Sequence, residues 1–216
     1  MPIALLNDLH PDYRLGLWKI EESVLWFEHS LLLDDAERAQ LHLLKDSRKI
    51  EFLAVRQVLH ILTGQVKRHP LQKDAWGKPF LPDSAYFVSL SHSNGMAAAM
   101  MAVQPVGIDI QHIVEKTERV VPKFMRVDEQ ESLSESLRLH HIHVYWGAKE
   151  ALYKAYGRKQ LDFCRHLFIE PFAYQPQGGM LRGYIHKEGS PPIFYDLQYL
   201  PWEDYMLVWA IENRIP

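Results

Sequence analysis

The sequence predicts an α+β fold in two halves, and three observations carry that expectation. Segments read in the order strand, helix, helix, strands, and the order recurs after Gln104-Pro105. The pair Asn94-Gly95 between two apolar runs marks a tight hairpin. After Gly157 the chain turns to short β-like runs cut by Gly, Pro and acidic turns, as in an antiparallel meander. The halves are placed at residues 1–104 and 105–216.

Taken in order, residues 13–20 alternate loosely and predict an early strand. Asp34-Asp35 can cap a helix running to about Lys45, with Leu41 and Leu44 towards the core. A stronger helix follows from Ser47, where Phe52, Val55, Leu59 and Leu62 form an apolar stripe closed by Gly64. Between Leu71 and Pro82 the pattern is that of a loop. There Pro79 biases Lys78 to an extended conformation, and Gly77 lets the backbone come close to another group. Tyr86 to Ser91 is β-rich. Met96 to Val103 is assigned as its hairpin partner, although Met-Ala-Ala-Ala-Met-Met favours helix by propensity.

Val106 to Gln111 alternates cleanly, with Gly107, Asp109 and Gln111 on one face. Residues 115–139 are charged and helix-compatible. A helix over 140–157 ends at Gly157, and strands are expected near 168–174, 180–186, 193–200 and 205–212.

With 216 residues, 47% of them hydrophobic, the chain can bury a real core as one large or two small domains. Twenty-four Lys+Arg against 27 Asp+Glu give a formal net charge of -3, which argues against a nucleic-acid binder. A single cysteine, Cys164, precludes an internal disulfide and fits a reducing cytosol. Met1 to Asp8 lacks the basic start of a signal peptide, and no apolar run is long enough to span a membrane. The expectation is a soluble cytoplasmic protein.

Trp146, Glu150 and Lys154 recur at helical spacing and share one face. Read alone, Glu150 and Lys154 are an exposed ion pair. Read with Asp109, which stands among apolar neighbours, they describe another site. Asp109, Glu150 and the Gln111 amide oxygen make an all-oxygen set suited to Mg²⁺, while Lys149 and Lys154 can neutralise phosphate. Together these parts point to phosphoryl transfer. Ser91-His92-Ser93 fits a phosphate contact or plain turn polarity better than a nucleophile dyad, since neighbours on a strand face opposite ways. His140-His141-Ile142-His143 lacks the spacing of a zinc site.

Four stretches line up with one family. Gly107-Ile108-Asp109-Ile110 and Trp146-Gly147-Ala148-Lys149-Glu150 through Lys154 resemble the paired signatures of the 4′-phosphopantetheinyl transferases. Ser89 to Ser93 and Gly77-Lys78-Pro79 resemble two upstream motifs of that family. The length points to its larger, Sfp-type class, in which two similar α/β halves form a pseudo-dimer within a monomer. The resemblance implies transfer of phosphopantetheine from coenzyme A to a serine of an apo acyl or peptidyl carrier protein, releasing adenosine 3′,5′-bisphosphate. It implies Asp109 and Glu150 as ligands of Mg²⁺, Glu150 as base and Lys154 on the diphosphate. Ser91 and His92 would meet the nucleotide end, including its 3′-phosphate, and Lys73, Gly77 and Lys78 would border the adenine nucleotide. Arg38, with Arg56 as substitute, would be the 3′-phosphate cation. One departure is Gln111, where the family often has Glu. It leaves open a catalytically impaired homologue that binds coenzyme A or carrier without turnover.

Overall fold

The computed structural model describes residues 3–7, 10 and 12–213. Met1, Pro2 and Asp8, part of the stretch read for a leader, lie outside the described residues. The chain divides into two compact units, Met1–Val103 and Gln104–Pro216. No helix among the described residues is long and apolar enough to cross a membrane.

The first unit begins with β1 (Ile3–Asn7) and β2 (Tyr13–Lys19), then α1 (Val24–Leu31), α2 (Asp35–His42) and α3 (Asp46–Thr63). β3 (Gln72–Lys73), β4 (Pro79–Phe80), β5 (Phe87–Ser93) and β6 (Met96–Ala102) follow. They form one antiparallel sheet in the order β1-β2-β6-β5-β4-β3. Asp34 caps α2 by accepting from the Glu37 N–H, and Gly64 ends α3 at a positive φ of 64°. Val55, Leu59 and Leu62 are buried, as the apolar stripe predicts. β6 is a central strand despite its helical propensity, because its two neighbours use its hydrogen bonds and all seven residues are buried. Three details differ from the sequence expectation. α2 stops at His42, which leaves Leu44 only half-buried. The loop after Leu71 holds a short hairpin, and β1 and α1 carried no clear sequence signal.

The second unit contains β7 (Val106–His112), a 3₁₀ segment (Glu115–Lys123), α4 (Val127–Glu131) and α5 (Arg138–Tyr156). It closes with β8 (Leu167–Ile169), β9 (Gly179–Ile185), β10 (Ile193–Trp202) and β11 (Tyr205–Glu212). The sheet is antiparallel in the order β7-β11-β10-β9-β8, with α5 packed on β7 and β11. The charged stretch 115–139 does not make one helix: Pro122 lies in the 3₁₀ segment, and α4 spans only five residues. β8 is shorter than expected because Pro171, just beyond it, has no N–H for a ladder.

Candidate active site

Two glycines set the distance between β7 and α5. A Cβ on Gly107 would lie 1.8 Å from the Ala151 carbonyl oxygen, so only glycine admits the helix backbone there. A Cβ on Gly147 would lie 2.6 Å from Val208 and 3.0 Å from Gln111. Between these two approaches sits Asp109, 7% exposed. Lys154 of α5 reaches across and donates to Asp109 Oδ1 at 2.7 Å and to the Ile108 carbonyl at 2.9 Å. Glu150 lies one helical turn before Lys154. Burial, and secondarily the negative charge of Asp109, push the Glu150 carboxyl above its ordinary range, while Lys154 pulls the other way. Asp109, Glu150 and Lys154 thus act on one another electrostatically.

This donor set fits a hard divalent cation such as Mg²⁺. Two carboxylates repel at close quarters, their oxygens are hard ligands, and Mg²⁺ is held by few protein groups. Among the described residues no group of three or more His, Cys, Asp or Glu gathers as a metal box. The three histidines near the start of α5 do not form one. His141 stacks on Tyr145 and meets Phe172 edge-on, and its buried ring is held neutral, its pKa pushed down to about 4. His143 faces Gln111.

Gln111 is engaged by that histidine at both ends of its amide. Its Nε2 donates to the His143 carbonyl at 2.9 Å, and its Oε1 is 3.0 Å from His143 Nδ1. His143 Nε2 is 3.1 Å from the Val114 N–H. With its hydrogen on Nδ1 the ring donates to Gln111 and accepts at Nε2 from the Val114 N–H, the Val114 carbonyl lying 3.3 Å from the same nitrogen. Gln111 is therefore a strut from β7 to α5.

One residue of the α5 motif has other work than the sequence gave it. Lys149 is fully buried and far from a phosphate role. Its Nζ pairs with Glu129 at 2.7 Å and donates to the Phe124 and Phe163 carbonyls at 2.7 and 3.0 Å. Trp146 is only half-buried, edge-on to Phe124 and stacked near Phe163, and Tyr145 is the fully buried aromatic of this turn. Cys164 is a free thiol, which burial pushes above its usual pKa.

The residues expected at the nucleotide end of coenzyme A lie in the first unit. Arg38 is exposed on α2. Arg56, its substitute, is 5% exposed and cannot serve. It is paired with Glu37 at 3.1 Å, donates to the Phe52 carbonyl, and Glu37 also pairs with Arg68. Lys73 is exposed on β3. Gly77 takes a φ of 86° in the β3–β4 turn, where Asp74 Oδ1 accepts from the Trp76 and Lys78 N–H groups. The Lys78 ammonium lies 6.0 Å from the Phe87 ring centre. Ser91 is buried, whereas the half-buried His92 lies on the opposite face of β5, its Nδ1 3.2 Å from Glu51. Glu51 and Glu129 carried no role in the sequence reading, and His143 was weighed there only as part of a metal box. Each is a polar residue in a charged or helical stretch, and only its distant partner gives it a role.

Residues 105–205 match the family model of the 4'-phosphopantetheinyl transferase superfamily, and residues 36–102 match that of the 4'-phosphopantetheinyl transferase N-terminal domain. The chain is 26% identical over 111 residues to the 4'-phosphopantetheinyl transferase gsp of Aneurinibacillus migulanus. That match covers 50% of this chain and 46% of the relative, so the chain spans about half the length of the curated relative it matches.

Proposed function

Because the chain belongs to the 4'-phosphopantetheinyl transferase superfamily, we propose that it moves 4′-phosphopantetheine from coenzyme A to a serine of an apo carrier protein. The observation that carries this reading is the trio Asp109, Glu150 and Lys154, joined across β7 and α5. The serine oxygen attacks the phosphorus that bears pantetheine, the bond to the nucleotide phosphate breaks, and adenosine 3′,5′-bisphosphate leaves. Glu150, directly or through a water, takes the serine proton. Asp109 and Glu150 would hold Mg²⁺, which supplies positive charge against the diphosphate. Lys154 fixes Asp109 against the β7 backbone and lends its charge to the same cluster. Gln111 positions the helix that carries Glu150. Gly77, Lys78, Ser91 and His92 are assigned to the nucleotide end of coenzyme A on the strength of the motifs they stand in, and Arg38 and Lys73 on the resemblance to the family alone. The resemblance to the larger, two-half class supports a monomer, and the single cysteine fits a reducing cytosol.

The test is incubation with coenzyme A, Mg²⁺ and an apo carrier protein, followed by mass spectrometry of the carrier. A mass gain of one phosphopantetheine group is expected. It should vanish with a chelator and in Asp109→Ala. Tight coenzyme A binding without a mass gain would refute the transfer and mark a binding homologue.

A further inference from the structure

Glu51 lies in the second turn of α3, in a stretch (Asp46 to Glu51) whose alternating charges read as a solvated helix start. The fold gives it a different position. On β5 the side chains alternate, and Val88 and Leu90 join the core cluster to which α3 contributes Leu53, Val55 and Leu59. His92 continues that face. Its Nδ1 lies 3.2 Å from Glu51 Oε2, and the same oxygen accepts from Arg48 Nη1 at 3.0 Å. The Glu51 side chain is only 19% exposed and that of His92 34%, so the pair is sheltered rather than splayed into solvent.

A carboxylate accepts and does not donate, so the hydrogen of this contact sits on Nδ1. The contact therefore fixes both the tautomer and the rotation of the ring, as a carboxylate does for an imidazole that binds a ligand through Nε2. Arg48 donates to that same oxygen and adds a positive charge beside it.

We propose that Glu51 is a positioning residue for the nucleotide end of coenzyme A: it holds His92 so that the Nε2 edge meets a phosphate, with Arg48 completing the arrangement. This rests on the reading that His92 meets the 3′-phosphate. Glu51 itself touches no substrate; it acts through His92. A cluster assembled for stability alone would have no preference between coenzyme A and its 3′-dephospho form.

The experiment measures binding by calorimetry, and transfer kinetics, for coenzyme A and 3′-dephospho-coenzyme A. It compares the full chain with Glu51→Ala, Glu51→Gln, His92→Ala and the Glu51→Ala/His92→Ala double variant. Glu51→Ala should weaken coenzyme A binding and raise its KM about tenfold, the order seen when a partner orienting a ligating imidazole is removed. Its effect on kcat at saturation and on the dephospho form should be much smaller. Glu51→Gln, which keeps an acceptor for Nδ1–H, should recover most of the loss. The double variant should be no worse than His92→Ala, since Glu51 works through that ring. Equal effects on both nucleotides, or full additivity with His92→Ala, would overturn the proposal. Binding without transfer would refute the transferase reading alone, because the binding cycle still reads Glu51. A protein that discriminates by the 3′-phosphate equally well with and without Glu51 would refute only the positioning role.

Discussion

Gly107→Ala is the sharpest perturbation the structure offers. Its φ is not in the left-handed region, so the substitution strains no backbone torsion of its own. The cost is contact. The new Cβ would sit 1.8 Å from the Ala151 oxygen, 2.7 Å from the Ala151 carbonyl carbon and 2.8 Å from the Ala155 nitrogen. Non-bonded heavy atoms want roughly 3.5 Å, so α5 must retreat by well over an ångström, and no flexible side chain can absorb the shift. A destabilisation of about 3 kcal/mol, the upper end of the overpacking range, is expected. For a chain of this length that corresponds to a fall in Tm of roughly 6–12 °C. The displaced helix would draw Lys154 from Asp109, now 2.7 Å away, and shift Glu150 with it. Misplacement on this scale should cost about 10²-fold in kcat/KM for carrier modification. Gly147→Ala is the control. Its Cβ meets the Val208 and Gln111 side chains rather than backbone, so it should cost less on both measures. Differential scanning calorimetry and the transfer assay decide the matter. A Gly107→Ala protein with near wild-type Tm and activity, or one milder than Gly147→Ala, would refute the reasoning.

Other expectations follow from single contacts. Gln111→Glu removes the donor to the His143 carbonyl and sets a carboxylate against it, so stability should fall by about 1–3 kcal/mol in urea unfolding. An unchanged midpoint would show that the strut carries nothing. Lys149→Met leaves Glu129 buried without its cation and should cost about 3–5 kcal/mol, whereas adding Glu129→Gln should return part of it. If the double variant is no better than the single one, the buried pair is not the cause. His141 gives a pH dependence. Its folded pKa, about 4, lies below the unfolded value of 6.5, so its contribution is complete above pH 6.5 and is lost as pH falls from there towards 4. At pH 5 the loss is about 2 kcal/mol, and His141→Phe should flatten that slope in unfolding curves recorded from pH 7 to 5. A slope unchanged in the variant would assign it elsewhere.

Much of the frame was legible because it rests on local pattern. Period-two alternation marked β7 and put Gly107, Asp109 and Gln111 on one face. Asn94-Gly95 marked the β5–β6 hairpin and outweighed the helical propensity of Met96 to Ala102, because a central strand bonded on both sides leaves propensity little weight. The failures came where local pattern is mute. The charges of 115–139 suit a helix, yet Pro122 and the short α4 break them up. Arg56, the substitute for Arg38 as phosphate cation, is bound to a buried carboxylate.

The sequence by itself determined the strand with Asp109, the helix with Glu150 and Lys154, and the motifs that name the family, because periodicity and spacing are written in adjacent residues. Only the tertiary structure decided which polar group serves which partner. Lys149 and Lys154 are five residues apart on one helix, yet the first is sealed against Glu129 and the second reaches Asp109. The fold sets His143 against the Gln111 amide, and it lays His92 of β5 against Glu51 of a charged helix start. Such pairs join residues distant in sequence. Their geometry is fixed by how helix and sheet pack, where a shift of an ångström makes or breaks a hydrogen bond, and no local preference encodes it.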